Sequence, residues 1–507
     1  MSDPTPGNKR SILIQAAPHE TRVAILEDQQ LRELLLEPRH SKLTVGSLYK
    51  GRVIKVLPGM QSAFVNIGAD KDAFLYAADI AEDVSGFAEL FGDDEADTHP
   101  RHARHQVPID DLVRVGQEIL VQVIKQPMGS KGTRVSSFIT LPGQYLVLMP
   151  TTQHIGVSRK IEDPSERDRL RALAAELQPT GGLIVRTSAA GRGAAELHAE
   201  LDKLAQHWNA IRAKSDRASA PSLIHQELDL PLKVLRDHIA DELDRILIDE
   251  PETHRRCLEF LEASRPDLVE RTELEPQPGL LLERYGVEAE LERSLRAKVW
   301  LKSGGYLVIQ PTEAVVVIDV NTGKFVGTDN LEDTFLRTNL EAVKEIARQL
   351  LLRDLGGIIV IDLIDMAEAA HREEVLALLT HELRRDHAHI QLLGINEFGL
   401  VHLTRQRVKQ SLDAALSQPC PACGGQGRIA SVQATLSAIR NQVLRLGREA
   451  IGDRAGMILR LHPQVAAALQ GAHVLLLEEF ERVLRGRLSL RPDPALAPDR
   501  FELILGP

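Results

Sequence analysis

A chain of 507 residues is too long for one hydrophobic core, so several domains are expected. Its 43% hydrophobic and 26% charged residues are ordinary globular composition, and a net charge of −11 argues only weakly against a polyanionic partner. Three cysteines cannot build a disulfide framework, the start MSDPTPGNKR lacks an apolar signal region and no run reaches membrane-span length, which points to a reducing, intracellular protein.

From Ser11 to Leu36 short apolar runs (ILIQAA, RVAILE) alternate with polar turns, the pattern of an opening sheet. From Gly46, VGSLYKGRVIKVLPGMQSAFVNIGADKDAFLYAADI and then DLVRVGQEILVQVIKQPMGSKGTRVSSFITL read as short strands punctuated by glycine. That suits a small antiparallel barrel of the OB kind, a common platform for single-stranded nucleic acid. Phe64 and Phe74 stand out in a chain with 4% aromatics, and Lys125, Lys131 and Arg134 bring positive charge to the same barrel. The two rings are either a base-stacking surface with basic rims or part of the barrel core. Between the two halves lies EDVSGFAELFGDDEADTHPRHARHQVP, acidic first and His-rich after. Its composition is that of a mobile loop, with His99, His102 and His105 as a metal-binding alternative.

Next come GQYLVLMP, a charged helical stretch (EDPSERDRLRALAAEL) and GGLIVRTSAAGRG. The last is a strand running into a glycine-rich turn, with Arg186 and Thr187 at the join. A guanidinium, a hydroxyl and backbone N–H groups make a candidate phosphate pocket, although such pairs are also common on surfaces. Residues 228–291 read as helices with an Ile/Leu-rich strand near Arg245–Ile248, and LKSGGYLVIQPTEAVVVIDVN forms a hairpin into the next unit.

Val315 to Met366 is the centre of the chain. VVVIDVN and GGIIVIDLIDM each deliver a carboxylate at the carboxyl end of a strand, Asp319 and Asp362. Between them, a helical period from about Asn330 to Arg353 ends at Gly356 and Gly357. Strand, crossover helix and strand predict two parallel strands buried on both faces, with a ligand crevice beyond their carboxyl ends. Asn321 lies in phase with Asp319, so the two aspartates and the amide form a candidate metal site; the alternative is a pair of carboxylates capping helices or facing solvent. Asp365 competes with Asp362, but three residues apart in a strand they point to opposite faces. A charged helix (HREEVLALLTHELRRD) and a strand (HIQLLGINE) complete the sheet, and Arg405, Arg407 and Lys409 then make the chain locally basic.

In QPCPACGGQGR, Cys420 and Cys423 have the spacing of a zinc knuckle. Zinc takes four ligands and no second CxxC exists, so a four-thiolate site shared across a two-fold dimer interface follows from arithmetic. His402 completing an internal site, or a loop with two unmetallated thiols, are the alternatives. Residues 429–507 read as a small α/β appendage, with ATLSAIRNQVLRLGREA helical and MILRLHP and FELILG as strands.

VVVIDVNTGKFVG, NLEAVKEIARQLLLRDLGGIIVIDLIDM, GQYLVLMP, IVRTSAAG and CPACGGQGR together resemble the ribonuclease E/G family of endoribonucleases, in the family's domain order over nearly the whole chain. The resemblance implies a multidomain α/β fold. An RNase H-like subdomain (1–45 and 232–294) is split around an OB-fold barrel (46–138, with the insert at about 82–108) and a 5′-sensor domain (139–231). A DNase I-like catalytic domain (295–416), a zinc link (417–428) and a small α/β dimerisation domain (429–507) follow. Because the sequence stops soon after the small domain, the resemblance leads us to expect no long Arg/Pro-rich scaffold tail and a closer similarity to the G-type members.

It further implies cleavage of single-stranded RNA to 5′-phosphate and 3′-hydroxyl ends, with a preference for 5′-monophosphorylated substrates, in rRNA maturation and RNA decay in the cytoplasm. Asp319 and Asp362 match magnesium-binding aspartates and Asn321 the amide that orients the site. Phe64, Phe74 and Lys131 match RNA-contacting positions, Gly143, Val147, Arg186 and Thr187 the 5′-phosphate pocket, and Cys420 and Cys423 a structural zinc shared between two subunits of a homodimer or homotetramer. The acidic, His-rich insert is a departure from the family's barrel.

Overall fold

β-Branched and leucine-rich runs joined by tight turns make the first three strands, β1 (Arg10–Ala16), β2 (Glu20–Glu27) and β3 (Gln30–Pro38). Asp28 and Gln29 take φ of 50° and 65°, the backbone of a two-residue hairpin turn whose twist matches that of the strands. In this computed structural model the residues described are 10–39, 43–80, 107–126, 132–158, 161, 163–177, 179–238, 243–323, 331–386, 388–407, 409–448 and 457–505. The insert histidines His99, His102 and His105 and the barrel lysine Lys131 lie outside them.

Strands β4 (Leu48–Leu57), β5 (Ser62–Asn66), β6 (Ala73–Tyr76), β7 (Glu118–Lys125) and β8 (Arg134–Ser136) pair in the order β4-β5-β6-β8-β7 and return to β4, closing an OB-like barrel. One pair, β6 with β8, is parallel, so the barrel is not wholly antiparallel as the sequence suggested. Val53, Ala63, Val65, Ala73, Leu75, Val121, Val123 and Val135 fill its interior. Gly51 is required there: a Cβ would stand 2.5 Å from Val65 Cγ1.

Strands β9 (Leu141–Pro142), β10 (Leu146–Met149), β11 (Ile155–Val157) and β12 (Gly182–Val185) form a sheet in the order β11-β12-β10-β9. Helices Pro164–Glu176 and Ala194–Arg217 pack on it through Leu170, Leu197 and Leu201. Strand β13 (Ser222–His225) then returns to the barrel beside β4. Strands β14 (Leu243–Ile248) and β15 (Thr272–Leu274) join the opening sheet in parallel with β1, giving the order β15-β14-β1-β2-β3. One sheet is thus built from two distant segments, clasped by the Ala16 N–H donating to Asp249 Oδ1 at 2.8 Å.

The last sheet of this part holds β16 (Lys298–Trp300), β17 (Tyr306–Pro311), β18 (Val315–Asn321), β19 (Gly357–Asp362), β20 (Ile390–Ile395) and β21 (Leu400–Arg405), in the order β16-β17-β18-β19-β21-β20. The expected crossover is present: helix Leu331–Leu352 joins the parallel neighbours β18 and β19. Two departures matter. Strand β21 slots between β19 and β20, antiparallel to both. And β18 and β19 are buried on one face only.

Val316, Ile318, Val320, Ile359 and Ile361 pack against helices Leu331–Leu352 and Ala369–Leu383, whereas Val317 and Ile358 on the opposite face are 36% and 50% exposed. A sheet whose other pairings are antiparallel can leave one face uncovered by its own helices. Among the described residues no helix is long and apolar enough to cross a membrane.

Residues 1–412 and 413–507 are two compact units. The second holds β22 (Met457–Leu461) between β23 (Leu488–Pro492, parallel) and β24 (Phe501–Leu505, antiparallel). Helices Val432–Arg448 and Val474–Leu484 bury Leu436, Ile439, Val443 and Phe480 against it.

Candidate active site

Register brings the two aspartates together. Strands β18 and β19 pair from Val315↔Ile358 to Asp319↔Asp362, the last rung of the parallel ladder. Ladder partners stand about 4.8 Å apart at Cα. Because Ile318, Val320 and Ile361 point into the core, both carboxylates and Asn321 project from the uncovered face. The Asn321 Nδ2 donates to Asp319 Oδ2 at 2.7 Å, fixing one carboxylate. Buried Asn339, on the crossover helix, donates to the Ile364 carbonyl at 2.8 Å and accepts from its N–H at 3.1 Å, pinning the loop that leaves β19.

Asp365 lies in that loop, beyond the end of β19, so the opposite-faces argument against it does not apply. Partial burial first, then repulsion by Asp319 and Asp365, raise the Asp362 carboxyl above its ordinary value. Asp365 therefore acts on Asp362 electrostatically from beyond the strand's end. Among the described residues no group of three or more His, Cys, Asp or Glu side chains could hold a metal ion. Two mutually repelling carboxylates and an amide fit a hard cation that keeps most of its waters, as magnesium does. They do not fit zinc, which wants four protein ligands or three with one open position.

On the barrel, Phe64 and Phe74 are ladder partners, with ring centroids 5.1 Å apart in an edge-to-face pair. Ala63, Val65, Ala73 and Leu75 alternate with them and fill the interior, so both rings belong to the outer surface rather than to the core. Tyr76, in phase with Phe74 along β6, extends the surface at 4.8 Å. Arg134 lies over the Tyr76 ring at 4.7 Å while its guanidinium donates to both Asp79 oxygens at 2.9 and 3.0 Å. Sequence inspection passed over Tyr76, although its two-residue spacing from Phe74 was the available signal.

The 5′-phosphate candidates gather at the β9–β10 turn. Arg186 Nη1 donates to the Gly143 carbonyl at 2.6 Å and Nη2 to Asp237 Oδ1 at 2.8 Å. Thr187 is exposed at the start of the following turn. Val147 is not at the surface: its side chain is buried with Phe138, Met149 and Ile184. Glu200, from the neighbouring helix, accepts the N–H groups of Gln144, Tyr145 and Leu146 at 2.5, 2.7 and 2.8 Å. A Cβ on Gly143 would come within 2.8 Å of that carboxylate, which explains the glycine. Burial raises the Glu200 carboxyl above its ordinary value despite these donors.

In the second unit, Cys420 and Cys423 sit in a turn where the Gly427 N–H donates to Cys423 Sγ at 3.3 Å. Backbone N–H groups of Cys423 and Ala422, then the Cys423 side chain, lower the Cys420 thiol below its ordinary value. Amides aimed at sulfur favour thiolates, so this knuckle fits half of a tetrathiolate zinc site. Cys257 is not a further ligand: it is fully buried with Ile12 and Ile248, and burial pushes its thiol up to about 12. His402 lies in β21, opposite Val360.

The basic segment after β20 is not a surface patch throughout. Arg405 is 3% exposed and held by Asp386 at 2.7 Å and Asp354 at 2.6 Å. Lys409 pairs with Glu33 at 2.7 Å, and Arg407 Nε donates to the Gly356 carbonyl at 3.1 Å.

The sequence model of the ribonuclease E/G family matches residues 140–408, from the Arg186 turn through the Asp319–Asp362 ladder. Ribonuclease G of Escherichia coli strain K12 is 40% identical over 495 residues, covering 97% of this chain and 99% of that protein. Ribonuclease G of Haemophilus influenzae is 38% identical over 497 residues, with the same coverage on both sides. Ribonuclease E of Haemophilus influenzae is 35% identical over 499 residues, which is 98% of this chain but 52% of that longer protein. End-to-end similarity at this level, together with a family match spanning the strand-end aspartates, leaves one conclusion: this chain belongs to the ribonuclease E/G family.

Proposed function

We propose that this endoribonuclease hydrolyses single-stranded RNA with magnesium, leaving 5′-phosphate and 3′-hydroxyl ends, and works in rRNA maturation and RNA decay in the cytoplasm. The observation that carries the proposal is the final rung of the β18–β19 ladder, where Asp319 and Asp362 share an open face with Asn321. Asp319 and Asp362 would hold the cation. Bound there, magnesium would lower the pKa of a coordinated water and offset charge developing on the phosphoryl oxygens. Asn321 holds one oxygen of Asp319 through its side-chain amide, and the uncovered face admits an extended strand to both carboxylates. No serine, cysteine or histidine nucleophile is required.

The remaining features support the same substrate. The Phe64–Phe74–Tyr76 surface offers rings for successive bases, the sequence-tolerant way of holding a single strand; Lys131, outside the described residues, is assigned an RNA contact on the family resemblance alone. Arg186 and Thr187, with Gly143 and Val147 framing the turn, are assigned to a 5′-monophosphate, for which Asp237 now holds the place of counter-ion. Cys420 and Cys423 supply half of a structural zinc site, and a second copy of the chain supplies the other half. Self-association through that zinc is thus part of the proposal.

The test is cleavage of a short 5′-phosphorylated RNA with magnesium and with a chelator, its products mapped by end chemistry. Magnesium-dependent 5′-phosphate and 3′-hydroxyl ends, abolished in Asp319→Asn and Asp362→Asn while RNA binding persists, uphold the assignment. Undiminished cleavage by either variant removes it. For the sensor, Arg186→Ala narrows the rate ratio between 5′-monophosphate and 5′-triphosphate RNA; an unaltered ratio refutes that role.

A further inference from the structure

The uncovered face that carries the aspartates continues across β17 to β16. Ladder partners project to the same side, so the register assigns its rows. Lys298, Val308, Asp319 and Asp362 occupy one row across four strands. Trp300, Tyr306 and Asn321 occupy the next row, on the side where β18 ends. Val299, Leu307 and Val320 between them pack into the core, which confirms the facing.

The Trp300 and Tyr306 rings meet edge-on with centroids 5.3 Å apart. Lys298 Nζ stands 3.5 Å from the Tyr306 centroid and 4.1 Å from that of Trp300. Trp300 is nevertheless 58% exposed, an unusual state for the largest side chain. Among the described residues no carboxylate pairs with Lys298. An indole open to solvent and a cation parked on the neighbouring ring therefore share a surface with the candidate metal site, two strand spacings (roughly 10 Å) from Asp319.

We propose that Trp300, with Lys298 and Tyr306, is a nucleotide subsite beside the scissile phosphate: the base of a nearby nucleotide stacks on the Trp300 indole and its phosphate is met by the Lys298 ammonium. Charge and continuity select the occupant. Rings with a cation suit a base and its phosphate, and the row leads directly from Asn321 to Tyr306. Tyr306, its face covered by Lys298, positions the ammonium. The subsite adds to the barrel surface a second stacking point on the catalytic sheet itself, and it rests on the endoribonuclease assignment above.

Abasic scanning tests it in the full-length protein. Single abasic nucleotides are placed in turn around the cut in a 5′-phosphorylated RNA. In the unaltered enzyme one position near the cut lowers kcat/KM about tenfold or more, the scale of one lost base stack. In Trp300→Ala the intact RNA is impaired to that extent and the abasic substitution at that position adds nothing further, whereas Trp300→Phe restores the sensitivity. Lys298→Ala weakens KM and flattens its salt dependence.

A second readout does not need turnover. The chain has two tryptophans, so in Trp208→Phe the fluorescence reports Trp300, and a short single-stranded RNA quenches it. Quenching without any cleavage in the unaltered enzyme would sink the nuclease assignment and spare the subsite. Cleavage without quenching, or equal abasic sensitivity in Trp300→Ala, overturns the subsite. So does a Trp300→Ala variant whose altered property is its oligomeric state, which would make this face a contact between copies.

Discussion

Asn321 donates its side-chain amide to Asp319 from two positions further along the same strand, at 2.7 Å. Strand periodicity places both on one side, and the bond commits one oxygen of Asp319, while no hydrogen bond to the other is found among the described residues. Asn321→Ala is therefore expected to leave RNA affinity intact, lower kcat about 10- to 100-fold and raise the magnesium concentration for half-maximal activity, the usual scale for residues that orient a metal ligand. Magnesium titrations at saturating RNA check this; an unchanged half-saturation would separate Asn321 from the cation.

The three cysteines divide by environment. Cys257 is fully buried with its thiol pushed up to about 12, while backbone amides lower the Cys420 thiol. The thiolate is the reactive species. In the chelator-treated native protein, Cys420 and Cys423 should titrate with a disulfide reagent and Cys257 only after unfolding. Zinc should then protect both reactive thiols, and its removal should lower the oligomeric mass measured by native mass spectrometry. Protection of a single thiol, or a mass indifferent to zinc, would contradict the shared site.

Arg405 is clamped between two buried carboxylates, Asp354 and Asp386. Asp354 itself sits at φ 48°, just after the crossover helix, so the clamp ties the start of β19 to the end of β21. Arg405→Ala leaves two acids without their cation in the interior, and breaking such a set costs about 3–5 kcal/mol. Thermal or urea unfolding should show that loss, whereas the KM for RNA of the fraction that remains folded should be unaltered. A variant that unfolds normally but binds RNA poorly would instead put Arg405 in an RNA-binding surface.

How far the sequence could be read follows from these residues. The crossover unit was visible because two apolar runs, a helical period and two glycines all lie within one continuous stretch, and each element has a local cause. The location of Asp319 and Asp362 on a common rung needed only strand register. By contrast, the place of β21 was hidden: Arg405 looks like a surface charge until Asp354 and Asp386, 51 and 19 residues away, are folded around it. The uncovered sheet face was equally invisible, since VVVID reads as apolar on both sides whether or not a second layer exists. Asp365 was lost to an assumption about strand length, because β19 stops at Asp362. Tyr76 was legible and missed.

That tyrosine supplies the last expectation. Phe64, Phe74 and Tyr76 make a continuous ring surface on the barrel exterior, and Tyr76 is 38% exposed beneath the Arg134 guanidinium. Removing an exposed ring should cost little stability, because the interior is filled by Ala73 and Leu75 instead. If the rings carry bases, each is worth about 1–3 kcal/mol of single-strand affinity. Tyr76→Ala should then weaken RNA binding, measured by anisotropy, by less than Phe74→Ala, since Phe74 contacts both other rings. Both should raise KM with kcat nearly unchanged, because the barrel holds substrate without touching the reacting phosphate. Arg134→Ala would be a poorer probe: it strands Asp79, whose burial already raises its carboxyl above the ordinary value, and so mixes lost binding with lost stability. A Tyr76→Ala enzyme with reduced kcat and unaltered KM would show that the barrel surface acts on the chemical step, and the assignment of these rings to substrate holding would fall.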